Sequence, residues 1–177
     1  MTAEENVGGS CLGNPQRSEF GGLLRKNAGL FVYGLSGNIA NAFDILLAEL
    51  HAIFQGLRMV SDMGISDFVC YSDSLHYVSL INDPSMRFHV YVTLIQNIKD
   101  LIITSKASVF HTLREGNYCA NFLAKLGAAS DSVLTIHASP PDGMIQLIKD
   151  DTLETLFPRA IRDIETPQDE KDGRSTH

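Results

Sequence analysis

The chain has 177 residues, of which 44% are hydrophobic and 20% are charged, which is typical of one globular domain with its own core. Its formal net charge of −7 argues against a strongly basic, nonspecific nucleic-acid binder. The apolar runs are too short to cross a membrane, and the acidic start and three scattered cysteines indicate neither a secretion signal nor a disulfide framework. We therefore expect an intracellular protein of the cytoplasm or nucleus.

The first part of the chain predicts three strands and a long helix. A weak strand near 6–10 precedes stronger strands at 20–25 and 30–36, with a turn around Asn27 and Gly29 between the last two. Helix 42–63 is the clearest element, because apolar residues recur along it every three or four positions. The apolar stripe comprises Leu46, Leu50, Ile53, Leu57 and Val60, and Gly64 is suited to end the helix.

The next part of the chain alternates strands with helices. The pattern predicts a buried strand at 67–72, helices at 75–81 and 89–103, a strand at 107–114 and a helix at 118–126. Three strands followed by such an alternation favour an α/β fold with a five-stranded mixed sheet flanked by helices. We expect the strands 6–10 and 67–72 to run parallel at the middle of that sheet.

The C-terminal part has a different composition. Residues 1–129 carry nine Lys/Arg and eleven Asp/Glu, whereas residues 130–177 carry five and ten. We predict one domain at 4–129 and an extension at 130–162, with a short strand and a helix within 133–159 that pack on the domain. Almost every residue after Arg162 is polar, so we predict a disordered acidic tail at 163–177.

Two carboxylates have positions that suggest chemistry. Glu49 shares a helical row with Ile45, Ala52 and Gly56, where a buried and unpaired charge would be costly. It could equally reach water at the edge of the apolar stripe or pair with a Lys or Arg. Asp73 follows a buried strand, where α/β sheets place ligand-binding groups, but it could also cap the next helix.

A third segment, 114–121, passes from a strand into a helix. Gly116 permits a sharp bend there and Asn117 can cap the helix, so the segment has an ordinary structural explanation. His111 lies earlier, within the predicted strand, and we interpret it as a packing histidine.

Five sequence segments in order resemble the ribonuclease H type 1 family, in particular the domain of plant retrotransposon and reverse-transcriptase-like proteins. They are Gly8-Gly9-Ser10 with Gly13-Asn14-Pro15, Phe20 to Arg25, Ala48-Glu49-Leu50 with Gly56-Leu57, Tyr71-Ser72-Asp73-Ser74, and Arg114-Glu115-Gly116-Asn117 through Asn121 and Ala124. The likeness covers about residues 4–129 and implies a ribonuclease H-like fold.

The resemblance also implies a chemistry. Enzymes of this family hydrolyse the RNA strand of an RNA–DNA hybrid, and four carboxylates hold the two Mg²⁺ ions that this reaction uses. Matching the family's pattern to this sequence implies that Glu49 and Asp73 are the catalytic and metal-binding residues. Gly8 and Asn121 stand where the family has its other two aspartates, so two of the four carboxylates are replaced.

The resemblance leaves two hypotheses open. One is an Mg²⁺-dependent endoribonuclease of reduced activity, and the other is a non-catalytic relic of a retroelement that keeps the fold and weak nucleic-acid contact. Partners would be an RNA–DNA hybrid or other nucleic acid, with no membrane, and the chain would be a monomer. The residues implied to contact the substrate are Ser10, Asn14, Ser74 and Asn117.

Overall fold

The computed structural model describes residues 3–12, 17–26, 29–40, 42–83 and 90–156. Several predictions fall outside these residues, namely those on Asn14, Asn27, the first residue of the helix 89–103, the end of the extension and the tail 163–177. The boundaries of the domain remain a prediction.

Six strands form one sheet. They are β1 (Ala3–Leu12), β2 (Arg17–Lys26), β3 (Leu30–Ile39), β4 (Val69–Ser72), β5 (Ser108–His111) and β6 (Leu134–His137). Their order across the sheet is β5-β4-β1-β2-β3-β6. The pairs β1–β4 and β4–β5 are parallel and the other three are antiparallel, so the predicted mixed sheet and its central parallel pair are confirmed.

Five α-helices flank the sheet within the described residues. They are α1 (Ile45–Asp62), α2 (Leu75–Asn82), α3 (Val92–Ser105), α4 (Tyr118–Ala128) and α5 (Met144–Leu156), and a 3-10 turn at Arg114–Asn117 leads into α4. The helix predicted at 42–63 begins three residues later, because the Asp44 carboxylate accepts hydrogen bonds from the amides of Leu46 and Leu47 and so caps it. In the part of the chain described, no helix has the length and apolar character needed to span a bilayer.

The helices form two layers. The main core joins α1, α2 and α3 to one face of the sheet, and its largest fully buried side chains include Phe20, Leu50, Ile53, Leu57 and Phe68. A smaller cluster of Leu23, Cys119, Leu123 and Met144 joins α4 and α5 to the other face. Burial of these apolar surfaces is the main source of stability.

The sheet has six strands, so the prediction of five was wrong by one. The sixth, β6, pairs antiparallel with β3 through Gly34 to Gly37. The sequence did predict a short strand within 133–159 but did not place it in the sheet. A strand of four residues carries no local signal that identifies its partner, and the pairing depends on how α4 returns the chain to the β3 edge.

Glycines allow both helical layers to approach the backbone of the sheet. A Cβ added at Gly21 of β2 would lie 2.3 Å from the Ala124 amide nitrogen of α4, and one added at Gly9 of β1 would lie 2.5 Å from the Ala48 carbonyl carbon of α1. No side chain fits between helix and strand at either place. The two glycines therefore fix how deeply α1 and α4 lie on the sheet.

Replacing Gly21 with Ala should test this packing. Because the new methyl group would meet the backbone of α4, the helix must move, and we expect the free energy of unfolding to fall by about 3 kcal/mol. Urea denaturation would measure the change. Gly22→Ala is the matched control on the same strand: its Cβ would meet only the side chains of Leu35 and Val7, at 3.2 and 3.3 Å. An equal loss of unfolding free energy in both variants would contradict a specific role of Gly21 in the packing of α4.

Candidate functional site

The candidate site lies where β1 and β4 run side by side towards their carboxyl ends. Val7 is level with Ser72 in the last pair of the parallel register, and Gly8 and Asp73 are the next residues along the two chain segments. Alternate residues of β1 face opposite layers, so Gly9 faces α1 whereas Gly8 faces α4 and the turn before it. The site is thus built at one end of the sheet from both helical layers.

Glu49 is held inside the site by the backbone of β1. Its side chain belongs to a residue that is only 7% exposed, and its carboxylate accepts a hydrogen bond from the Gly9 amide. Burial, and after it the charge of Asp73, raises the pKa of Glu49 to about 8, while the Gly9 amide and the charge of Arg114 act in the opposite direction. Glu49 therefore does not reach out to water, and it lies close enough to Asp73 to interact with it.

Asp73 follows β4 and points towards the turn and α4. Its Oδ2 lies 3.5 Å from Asn121 Nδ2, which donates a weak hydrogen bond, and 3.9 Å from Arg114 Nε. The cap of α2 is Ser74, not Asp73, so the capping explanation of Asp73 does not hold. The site end of the sheet thus brings Asp73, Glu49 and Asn121 together, and a role for Glu49 and Asp73 in catalysis or metal binding remains a prediction.

Gly8 lies beneath two amide side chains. A Cβ added at Gly8 would lie 3.0 Å from both Asn117 Nδ2 and Asn121 Oδ1. Asn117 is completely buried, and its Nδ2 donates a 2.9 Å hydrogen bond to the Val7 carbonyl. Asn117 therefore ties the start of α4 to β1, and the position above Gly8 is filled by neutral amides.

The described residues predicted to contact the substrate form hydrogen bonds within the protein. Ser10 Oγ donates a 2.7 Å hydrogen bond to Glu19 Oε1 on β2, and the Ser74 amide donates to Ser72 Oγ at 3.3 Å. A role for Ser10, Ser74 or Asn117 in substrate contact remains a prediction, and the full burial of Asn117 favours a structural use. His111 is exposed, so its interpretation as a packing histidine was wrong.

The donor set does not fit two divalent cations. Two such ions need several hard, preferably charged oxygen ligands. The site supplies two carboxylates, and Gly8 contributes no side-chain oxygen while Asn121 contributes at most a neutral one. Within the described ranges, no group of three or more His, Cys, Asp or Glu side chains is placed to hold a metal ion.

Two residues of the site were missed in the sequence. Arg114 lies next to Asp73 although its side chain is 84% exposed, and the Gly9 amide binds Glu49. The segment starting at Arg114 could have been placed near Asp73, since both follow parallel strands that end at the same edge. The Gly9 contact had no sequence signal, because a backbone amide is present at almost every position.

Comparison with known proteins places this geometry in a family. The family described as reverse transcriptase-like matches residues 6–127. An Arabidopsis thaliana protein described as a "putative ribonuclease H protein" is 26% identical over 162 residues, which make up 89% of this chain and 25% of that protein. The chain therefore spans about a quarter of the length of this relative.

Solved structures show the same fold. Ribonuclease H1 of Halobacterium salinarum superposes with a TM-score of 0.64 at 21% identity, over 73% of this chain and 98% of that one. LC11 ribonuclease H1, solved in complex with an RNA/DNA hybrid, gives a TM-score of 0.62 at 18% identity, over 72% and 99%. The fold is ribonuclease H-like, as the sequence segments implied.

The interaction of the two carboxylates can be tested by titration. Asp73→Asn removes a negative charge beside Glu49, so the pKa of Glu49 should fall from about 8. It should stay above the ordinary value of 4.5, because burial remains. Carboxyl carbon chemical shifts followed by NMR against pH would report this value. Asp62→Asn changes an exposed position at the end of the same helix and is the control. An equal shift of the Glu49 pKa in both variants would show that Asp73 has no specific effect on Glu49.

Proposed function

The chain belongs to the reverse transcriptase-like family, and from that premise we propose that it is a degenerate ribonuclease H-like domain. Metal-dependent hydrolysis of the RNA strand of an RNA–DNA hybrid is impaired or lost in it. Weak contact with nucleic acid remains. We further propose that the domain is a monomer that acts inside the cell.

The position of Gly8 carries this proposal. Gly8 and Asp73 each follow the last pair of the β1–β4 register, and the atoms nearest to a Cβ added at Gly8 belong to the neutral amides of Asn117 and Asn121. A carboxylate at that position would be shared between two metal ions in the family arrangement that the sequence resembles. Four ionised carboxylates carry a charge of −4. Without a carboxylate at Gly8, and with a neutral amide at Asn121, the same four positions carry no more than two negative charges. The attraction for two divalent cations falls with it.

The proposed nucleic-acid contact is weak because the charge balance opposes it. The chain carries a net charge of −7, so long-range attraction to phosphates is absent. Support for some contact comes from the LC11 enzyme, which was solved with an RNA/DNA hybrid, and from the exposed guanidinium of Arg114 at the edge of the site. We expect binding to be abolished by moderate salt.

A reduced but real endoribonuclease activity is the alternative. One observation favours it: Glu49 and Asp73 lie close enough to interact electrostatically, on the same end of the sheet. Two carboxylates can contribute to holding one Mg²⁺ that keeps most of its water ligands. The two candidate functions differ in whether the unmodified chain turns over substrate.

A cleavage assay with an RNA–DNA hybrid in millimolar Mg²⁺ tests the proposal. We expect the unmodified chain to cleave poorly or not at all. Asn121→Asp should help little, Gly8→Asp should help more, and the double variant should be fastest. A gain of tenfold corresponds to about 1.4 kcal/mol of transition-state stabilisation. The gains should not add, because the ligands act as a unit and because a new side chain at Gly8 must displace that of Asn121, at 3.0 Å.

The control adds Asp73→Asn to the double variant, which should remove any gain. If the unmodified chain cleaves robustly and Asp73→Asn abolishes this, two carboxylates suffice and the proposal is wrong. If the double variant binds the hybrid but stays inactive, the lost ligands are not the reason for the missing activity. Measuring hybrid binding by fluorescence anisotropy at low salt separates this result from a loss of substrate binding.

A further inference from the structure

A second buried carboxylate lies in the core, away from the candidate site. Glu5 of β1 is completely buried among the apolar side chains beneath α1. Its Oε1 accepts a 3.1 Å hydrogen bond from the Tyr33 hydroxyl. Its Oε2 has no hydrogen-bond partner among the described residues. A charged carboxylate in such surroundings is costly.

Glu5 lies directly against the backbone of α1. A Cβ added at Gly56 would lie 2.6 Å from Glu5 Oε1 and 2.8 Å from the carboxyl carbon, so only glycine leaves room for this side chain. Four residues further along β1, a Cβ added at Gly9 would lie 2.5 Å from the Ala48 carbonyl carbon, and the Gly9 amide donates a hydrogen bond to Glu49. The helix thus rests on β1 at two points, one on Glu5 and the other at the candidate site.

The described groups that shift the pKa of Glu5 include no positively charged side chain. The elements packed around it present Tyr33 from β3, Cys70 from β4, Leu24 from β2 and Gly56 from α1. Burial raises the pKa of Glu5 to about 8, although the hydrogen bond from Tyr33 acts in the opposite direction. Burial is also the main cause of the raised pKa values of the neighbouring Tyr33 and Cys70, so both are neutral near neutral pH. Neither side chain can carry the positive charge that would compensate an ionised Glu5.

We propose that Glu5 is a pH-sensitive switch of the packing between α1 and β1. While its carboxyl group is neutral, α1 lies closed on the strand and Glu49 is held at the Gly9 amide. When the carboxyl group ionises, its need for water separates α1 from β1 at Gly56, and Glu49 moves away from Gly9. The core therefore controls one of the two remaining carboxylates of the site.

Amide hydrogen exchange between pH 5.5 and 7.5 tests the switch. The closed state keeps a proton on Glu5, whereas an open state with an ordinary Glu pKa of about 4.5 releases it, so opening becomes more favourable as pH rises towards about 8. Glu49 also has a raised pKa and leaves its buried position when α1 opens, so it would add its own dependence on pH, and the test is therefore made in Glu49→Gln. In this variant, after correction for intrinsic exchange rates, the opening equilibrium of α1 and of the Gly9 amide should increase by up to about tenfold per pH unit through Glu5. Above pH 8 this dependence should level off.

Adding Glu5→Gln to Glu49→Gln keeps the shape of the side chain without the charge and should remove this dependence. Adding Glu5→Leu instead should remove it as well, so the result does not depend on how one amide is accommodated. Adding Glu4→Gln, a change at an exposed neighbour, should leave the dependence in place. The proposal is overturned if Glu49→Gln alone shows no dependence, if adding Glu5→Gln leaves the dependence intact, or if α4 opens in step with α1, which would indicate unfolding of the whole domain.

Discussion

The close approach of two helical layers to β1 and β2 is the constraint on which the structure depends. Gly9 admits α1 on one face, and Gly21 admits α4 on the other. This approach allows Glu49 to reach the Gly9 amide and Asn117 to reach the Val7 carbonyl. The candidate site exists because both layers meet the same strand within two residues of Gly8.

The two uncharged residues at the site, Gly8 and Asn121, are compatible with a stable fold. Carboxylates held close together without a cation repel one another and raise the free energy of the folded state. Gly8 and Asn121 lower that repulsion, and the amides of Asn117 and Asn121 occupy the space above Gly8. Packing against glycine and apolar side chains, which carries the fold, does not depend on the replaced residues. Substitutions at the site therefore have little effect on the packing that stabilises the fold.

Several buried polar groups lie on the central strands and the helices that cover them. Among the residues described, oxygens of Glu5, Glu19, Glu49 and Asn117 are buried without a hydrogen-bond partner. Glu49 and Asn117 belong to the candidate site, whereas Glu5 belongs to the core beneath α1. Buried polar groups without a hydrogen-bond partner in a native protein usually mark a functional site or local strain, and here they concentrate around β1.

The sequence by itself determined the element order, the central parallel pair and the positions of Glu49 and Asp73 at the site. Periodicity, caps and turns are local signals, and the ordered motifs supplied the family. Only the tertiary structure decided the partner of β6, the burial of Glu5 and Asn117, and the place of Arg114 beside Asp73. Glu5 shows the reason most clearly. Its type predicts exposure, and only the depth at which α1 packs on β1, set by Gly56 and Gly9, makes it a core residue.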